Sequence, residues 1–176
     1  MTFGHYINRC RWAKINKRLT TETEQTMKAT ILILDGPNLN LVGVREPHIY
    51  GHQRVADYIE QLRRAYSDIE IVYRQSNHEG VLIDLLQEYG FGKACGIVLN
   101  GGGYSHTSVA LRDCVAALTV PVAEVHISDI STREPFRQHS YLTEVCSFTI
   151  KGRGLDGYRV AIEQFIGGAT EKTGNL

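Results

Sequence analysis

Apolar positions along the chain follow two alternating rhythms. Short runs rich in β-branched and aliphatic residues occupy 28–34 (KATILIL), 70–74 (EIVYR), 95–99 (CGIVL), 121–126 (PVAEVH) and 146–150 (CSFTI), and they read as strands. Between them the apolar residues recur at helical spacing: Val55, Ile59, Leu62 and Tyr66; Leu82, Leu85, Leu86 and Tyr89; Leu111, Val115 and Leu118; and Tyr158, Ala161, Ile162, Phe165 and Ile166. Each set is the inward stripe of a helix. Gly90 and Gly92 fit the exit of the second.

Strands that are nearly continuous in apolar character belong in a parallel sheet covered on both faces. Five of them alternating with four helices predict an α/β fold, a flavodoxin-like doubly wound five-stranded parallel sheet with helices on both faces. Such sheets bind ligands outside the carboxyl ends of their strands. Residues 28–169 are expected to form this domain. Residues 1–27, with Arg9, Arg11, Lys14, Lys17 and Arg18 against only Glu22 and Glu24 and no sustained apolar face, are expected to be a disordered basic extension, and 170–176 a flexible tail.

Polar residues gather where the strands should end. The first runs into Asp35-Gly36-Pro37-Asn38-Leu39-Asn40, the second into Gln75-Ser76-Asn77-His78-Glu79, the third into Asn100-Gly101-Gly102-Gly103-Tyr104-Ser105-His106, and the fourth into His126-Ile127-Ser128-Asp129. Any one of these is ordinary turn chemistry, because Asn and Ser bond nearby backbone. Four together point to a site. At the third end the glycines allow close approach of backbone to a ligand, and a helix expected over 105–118, with Ser105 as its N-cap, would offer free N–H groups to an anion.

The stretch from Gly36 to Gly51 is long for a βα connection and is a candidate lid. It carries Tyr50, whose phenol would be a poor base at neutral pH were it not for a nearby cation; Arg45 lies close enough in sequence to favour the tyrosinate. Glu124 and His126, two apart on a strand, point to the same side, so the carboxylate can fix the tautomer of the imidazole. After them comes a second long loop with two more cations, Arg133 and Arg137.

Composition narrows the functional class. Nineteen basic residues balance nineteen acidic ones, so no charge excess asks for nucleic acid or an anionic membrane, and no apolar run is long enough to span a bilayer. Cys10, Cys95, Cys114 and Cys146 are widely spaced with no C-x-x-C pair, three of them in apolar runs. They are expected to be packed thiols in a reducing compartment, the cytoplasm, with no structural zinc.

The segments DGPNLNLVGVREPHIYG, RQSNHEG, LNGGGYSHTSVALRD and EVHISDISTREPFRQHSY, in that order from about Ile31 to Phe165 with GLDGY before the last helix, closely resemble the signature regions of the type II 3-dehydroquinate dehydratases. The resemblance implies a lyase that dehydrates 3-dehydroquinate through an enolate in the shikimate or quinate pathway, without metal or other cofactor, assembled as a dodecamer of four trimers. Matched position by position, Tyr50 is the general base, kept ionised by Arg45; Asn38 stabilises the enolate oxygen with a water; His126 is the general acid, oriented by Glu124. Asn100, His106, Ile127, Ser128 and Arg137 match groups that hold the substrate, and Asp113 matches a residue acting near a neighbouring subunit's site. The chain departs from the pattern at Asp35 and Asp129, where asparagine is usual, at Gly101, where proline is common, and at Ser131, where histidine is common.

Rival functions fit less well. A nucleotide or flavin binder would want G-x-G-x-x-G after the first strand, where this chain has Pro37 instead of a free N–H. A phosphoacceptor domain would want an aspartate in place of Asn100, and GYSHT lacks the G-x-S-x-G spacing of a serine hydrolase. A related binding or regulatory protein, its catalysis removed by the acidic departures, is the remaining alternative.

Overall fold

The computed structural model describes residues 28–43 and 53–167; Arg45, Tyr50, Cys10 and both terminal segments lie outside the described residues. Ten helices and strands alternate: β1 (Ala29–Asp35), α1 (Val55–Ala65), β2 (Ile69–Gln75), α2 (Glu79–Gly90), β3 (Gly96–Asn100), α3 (Val109–Ala117), β4 (Val122–His126), α4 (Pro135–Gln138), β5 (Phe148–Lys151) and α5 (Asp156–Gly167). All strand pairs are parallel, in the order β2-β1-β3-β4-β5. The chain steps outward from β1 to β2, then crosses back to β3 on the other side, so β1 and β3 flank the point where the winding reverses.

The two faces of the sheet have separate cores. Ile31 and Ile33 of β1 join Val98, Ala123 and Val125 beneath α1 and α5, whose Ile59, Leu62, Tyr158, Ile162 and Phe165 are buried. Leu32 and Leu34 face the other way, joining Ile97 and Leu99 beneath α2 and α3 through Leu82, Leu86, Leu111 and Val115. Ile31 to Leu34 are wholly buried, each contributing roughly 1.5–3 kcal/mol relative to an exposed side chain. β1 is thus sandwiched on both sides, and its end is fixed in space.

Strand ends differ from expectation by a residue or two, and the shift matters. Asp35 and Asn100 are the last residues of β1 and β3 rather than loop residues, and His126 ends β4 as expected, so their backbones are held in register: Asp35 lies opposite both Gln75 and Asn100. The helix expected from Ser105 begins later. Gly102–His106 form a 3-10 turn, and α3 starts at Val109 with Ser108 as N-cap, its Oγ accepting from Leu111 N–H at 2.8 Å. Ser105 is instead buried behind the turn, its carbonyl accepting from Tyr141 N–H.

Cys114 and Cys146 are free thiols. Cys95 is buried as expected but is disulfide-bonded, which corrects its reading as a packed thiol; apolar surroundings accommodate either state of the sulfur. Among the described residues no helix is long and apolar enough to cross a membrane.

Candidate active site

A cavity of about 340 Å³ opens at the carboxyl ends of β1, β3 and β4. Three groups of residues form it. The turn after β1 gives Pro37, Asn38, Leu39, Leu41 and Val42; the turn after β3 gives Gly102, Gly103 and His106 beyond Asn100 itself; β4 and its following loop give His126, Ile127, Ser128, Ile130, Arg133, Glu134 and Arg137. Eight of the eleven residues singled out from sequence therefore meet or support one cavity within the described residues: Asn38, Asn100, His106, His126, Ile127, Ser128 and Arg137 line it, and Glu124 stands behind His126. Asp113 does not line it. That residue is exposed on α3, paired with its neighbour Arg112 at 3.1 Å.

The first and third turns are stitched together. Gly36 N–H donates to the Asn100 carbonyl at 2.7 Å, and a Cβ placed on Gly36 would lie 2.4 Å from the Gly101 carbonyl oxygen. Only glycine permits that approach. Asn38 follows with φ 66°, a left-handed conformation that asparagine tolerates better than most residues, and its N–H donates to Asn77 Oδ1 at 3.0 Å. Gln75 Nε2 donates to the same Oδ1 and to the Gly36 carbonyl, so the end of β2 braces the turn that carries Asn38.

On β4, His126 Nε2 lies 2.8 Å from Glu124 Oε1. Because a carboxylate accepts, Nε2 carries the hydrogen, leaving Nδ1 as the ring nitrogen not engaged by it. Glu124 is completely buried and accepts from four side chains: His126 and Ser140 on Oε1, Thr143 at 2.6 Å and Thr149 at 3.1 Å on Oε2. Burial would raise its pKa, but the hydrogen bond and charge of His126 with the donations of Ser140 and Thr143 outweigh it, and the carboxyl is pulled down to about 2. A charged, fully bonded Glu124 locks the ring of His126 in place.

His106 stacks beside His126, ring centroids 6.0 Å apart, with Nδ1 2.7 Å from the His139 carbonyl. The carbonyl can only accept, so Nδ1 bears the hydrogen and Nε2 keeps a lone pair. Burial depresses the His106 pKa, against the raising effect of that hydrogen bond, so the ring is neutral near pH 7 and can accept from a hydroxyl. Cations stand across the cavity: Arg133 Nη1 lies 3.3 Å from Ser128 Oγ, and Arg137 Nε, buried, lies 3.5 Å from Glu134 Oε2 without a hydrogen bond. A carboxylate entering between them would meet charge already in place.

Sequence reasoning missed Ser140, Thr143 and Thr149. They sit 16 to 25 residues downstream of Glu124, on the segment leading to and along β5, and only the tertiary fold brings them to it. It also missed Tyr73 and Tyr158, which donate to Asp35 at 3.1 and 2.8 Å. The departures at 129 and 131 belong together: Asp129 Oδ1 accepts from both the N–H and the hydroxyl of Ser131, capping the 3-10 turn Ile130–Thr132, and neither residue lines the cavity.

The winding order and the polar cavity at the reversal point define a flavodoxin-like α/β protein with a small-molecule site. Comparison with known proteins narrows this further. Residues 29–166 match the family described as Dehydroquinase class II. The 3-dehydroquinate dehydratase of Rhodopseudomonas palustris (strain BisA53) is 49% identical over 139 residues, covering 77% of this chain and 91% of that protein. The protein of the same name from Acidovorax sp. (strain JS42) is 48% identical over 144 residues, covering 78% and 97%. The crystal structure of type II dehydroquinase from Butyrivibrio crossotus superposes with a TM-score of 0.74 at 42% identity, covering 78% of this chain and 97% of that one. The chain belongs to the class II dehydroquinase family.

Proposed function

We propose that the chain dehydrates 3-dehydroquinate to 3-dehydroshikimate by way of an enolate. The observation that carries this reading is the pairing, in one cavity, of an imidazole anchored on a charged buried carboxylate with the amides of Asn38, in the turn after β1, and Asn100, at the end of β3. The α-proton of a ketone is weakly acidic, so its removal needs both a base and stabilisation of the developing oxyanion. Tyr50, helped by Arg45, is the base; Asn38 with a water receives the enolate oxygen. His126, protonated through Nδ1 while Nε2 stays on Glu124, gives its proton to the departing hydroxyl, since hydroxide itself is a poor leaving group. Asn100, His106, Ser128 and the backbone of Ile127 hold the hydroxyls, and Arg137 the carboxylate. Asp113, exposed on α3, serves the site of a neighbouring subunit in a dodecamer of trimers, a state that light scattering would test.

The decisive assay follows the absorbance of the conjugated enone product after mixing protein with 3-dehydroquinate. A rise in wild type that is lost in Tyr50→Phe, with substrate binding retained, is expected. The absence of any rise in wild type defeats the enzyme reading, and full activity in Tyr50→Phe removes that residue from its role.

A further inference from the structure

Asn100 is one end of a buried chain of hydrogen bonds whose other end has no part in the proposed chemistry. Asp35, at the end of β1, is completely buried, and each of its oxygens receives a phenol: Oδ1 that of Tyr158 from α5, Oδ2 that of Tyr73 from β2. Asn100 Nδ2 donates to the same Tyr158 oxygen at 3.2 Å, while Asn100 Oδ1 accepts from Gly102 N–H at 3.3 Å. We propose that Asp35 is a positioning residue which, through Tyr158, sets the orientation of the Asn100 amide in the cavity and links substrate binding there to its own ionisation.

The direction of each bond follows from which atoms can donate. A carboxylate only accepts, so the Tyr158 hydrogen points at Asp35. Its oxygen is then free to accept, which selects Nδ2 rather than Oδ1 of Asn100 on that side. The backbone N–H of Gly102 makes the same choice from the other end. One Nδ2 hydrogen remains for a ligand hydroxyl. Protonating Asp35 turns a charge-assisted acceptor into a neutral one, which weakens the anchor of Tyr158 and loosens the amide it holds.

The proposal rests on the dehydratase reading of the cavity but concerns a group outside its chemistry. Among the described residues, the titratable groups touching Asp35 are Tyr158 and Tyr73; from β3 it faces the neutral Asn100, and Tyr58 on α1 donates instead to Asp156. Burial raises the Asp35 carboxyl to about 7, the two phenol bonds opposing this only in part, so the switch falls within the working range of an enzyme assay.

The test is steady-state kinetics of 3-dehydroquinate dehydration from about pH 5.5 to 9 on wild type, Asp35→Asn and Tyr158→Phe. Dividing the wild-type KM by that of Asp35→Asn at each pH cancels the titrations both share. That ratio should rise about three- to tenfold on acidification through neutrality, with kcat little changed, because a binding donor is being loosened. The neutral amide of asparagine can accept from Tyr158 and donate to Tyr73 as the protonated carboxyl would, so Asp35→Asn should show the acidic wild-type KM at all pH values. Tyr158→Phe should raise KM about tenfold and also lose the pH dependence. A flat KM ratio, or a Tyr158→Phe variant that retains the wild-type pH dependence, overturns the proposal. If wild type shows no dehydration at any pH, the dehydratase reading fails first and takes the proposal with it.

Discussion

Asp35 and Glu124 are both acidic, both wholly buried and both within two residues of the end of a central strand, yet the surrounding structure pushes their ionisation in opposite directions. Asp35 is raised to about 7 and Glu124 lowered to about 2. The difference lies in the donors. Asp35 receives only two neutral phenols, whereas Glu124 receives three hydroxyls and an imidazole that can itself carry charge. Burial alone therefore says little about a carboxylate; the count and charge of its hydrogen-bond partners decide its state.

Breaking the Glu124 side of this contrast should have the largest effect. Glu124→Ala leaves four donors facing a void, and we expect about 3–5 kcal/mol of lost stability in urea denaturation with a fall in kcat of about 100-fold or more, because His126 loses the group that sets its tautomer. An Ala variant with near-normal kcat would show that the pair is structural. Asp35 offers the opposite sign. Its folded-state pKa exceeds its unfolded one, so between about pH 4 and 7 the native chain binds the extra proton and stability declines as pH rises. Asp35→Asn should accordingly melt above wild type at pH 8, by an amount on the order of a few kcal/mol, with the gap closing toward pH 4. A gap that is constant with pH would refute the raised pKa. Smallest should be Asp129→Asn. The amide oxygen can still cap the turn, the side chain is exposed, and a change within about 0.5 kcal/mol and twofold in kcat is expected from melting curves and initial rates.

The same contrast marks what could be read along the chain. Glu124 and His126 were legible because strand alternation alone puts residues two apart on one side, and β4 keeps that geometry. The doubly wound sheet was legible for the same kind of reason, since its periodicities are local. Ser140, Thr143 and Thr149 were not, because an ordinary hydroxyl residue carries no sign of the carboxylate it will meet across the fold. Asp35 was visible as a departure but not as a buried one: nothing nearby in sequence announces Tyr158, 123 positions away. The late start of α3 escaped for a subtler reason. Ser105 has the right residue type for an N-cap, but the glycine-rich 3-10 turn over Gly102–His106 takes it up and leaves that role to Ser108.

The junction of Gly36 with the Asn100 and Gly101 backbone has a consequence for anyone wishing to redirect this scaffold to new molecules. Randomising position 36 would yield chiefly misfolded variants, since any side chain there collides with a carbonyl that cannot retreat without unpairing the strand ends. One wall of the cavity is thus closed to diversification. The opposite wall, built by Ser128, Ile130, Arg133, Glu134 and Arg137, is where a library should be spent.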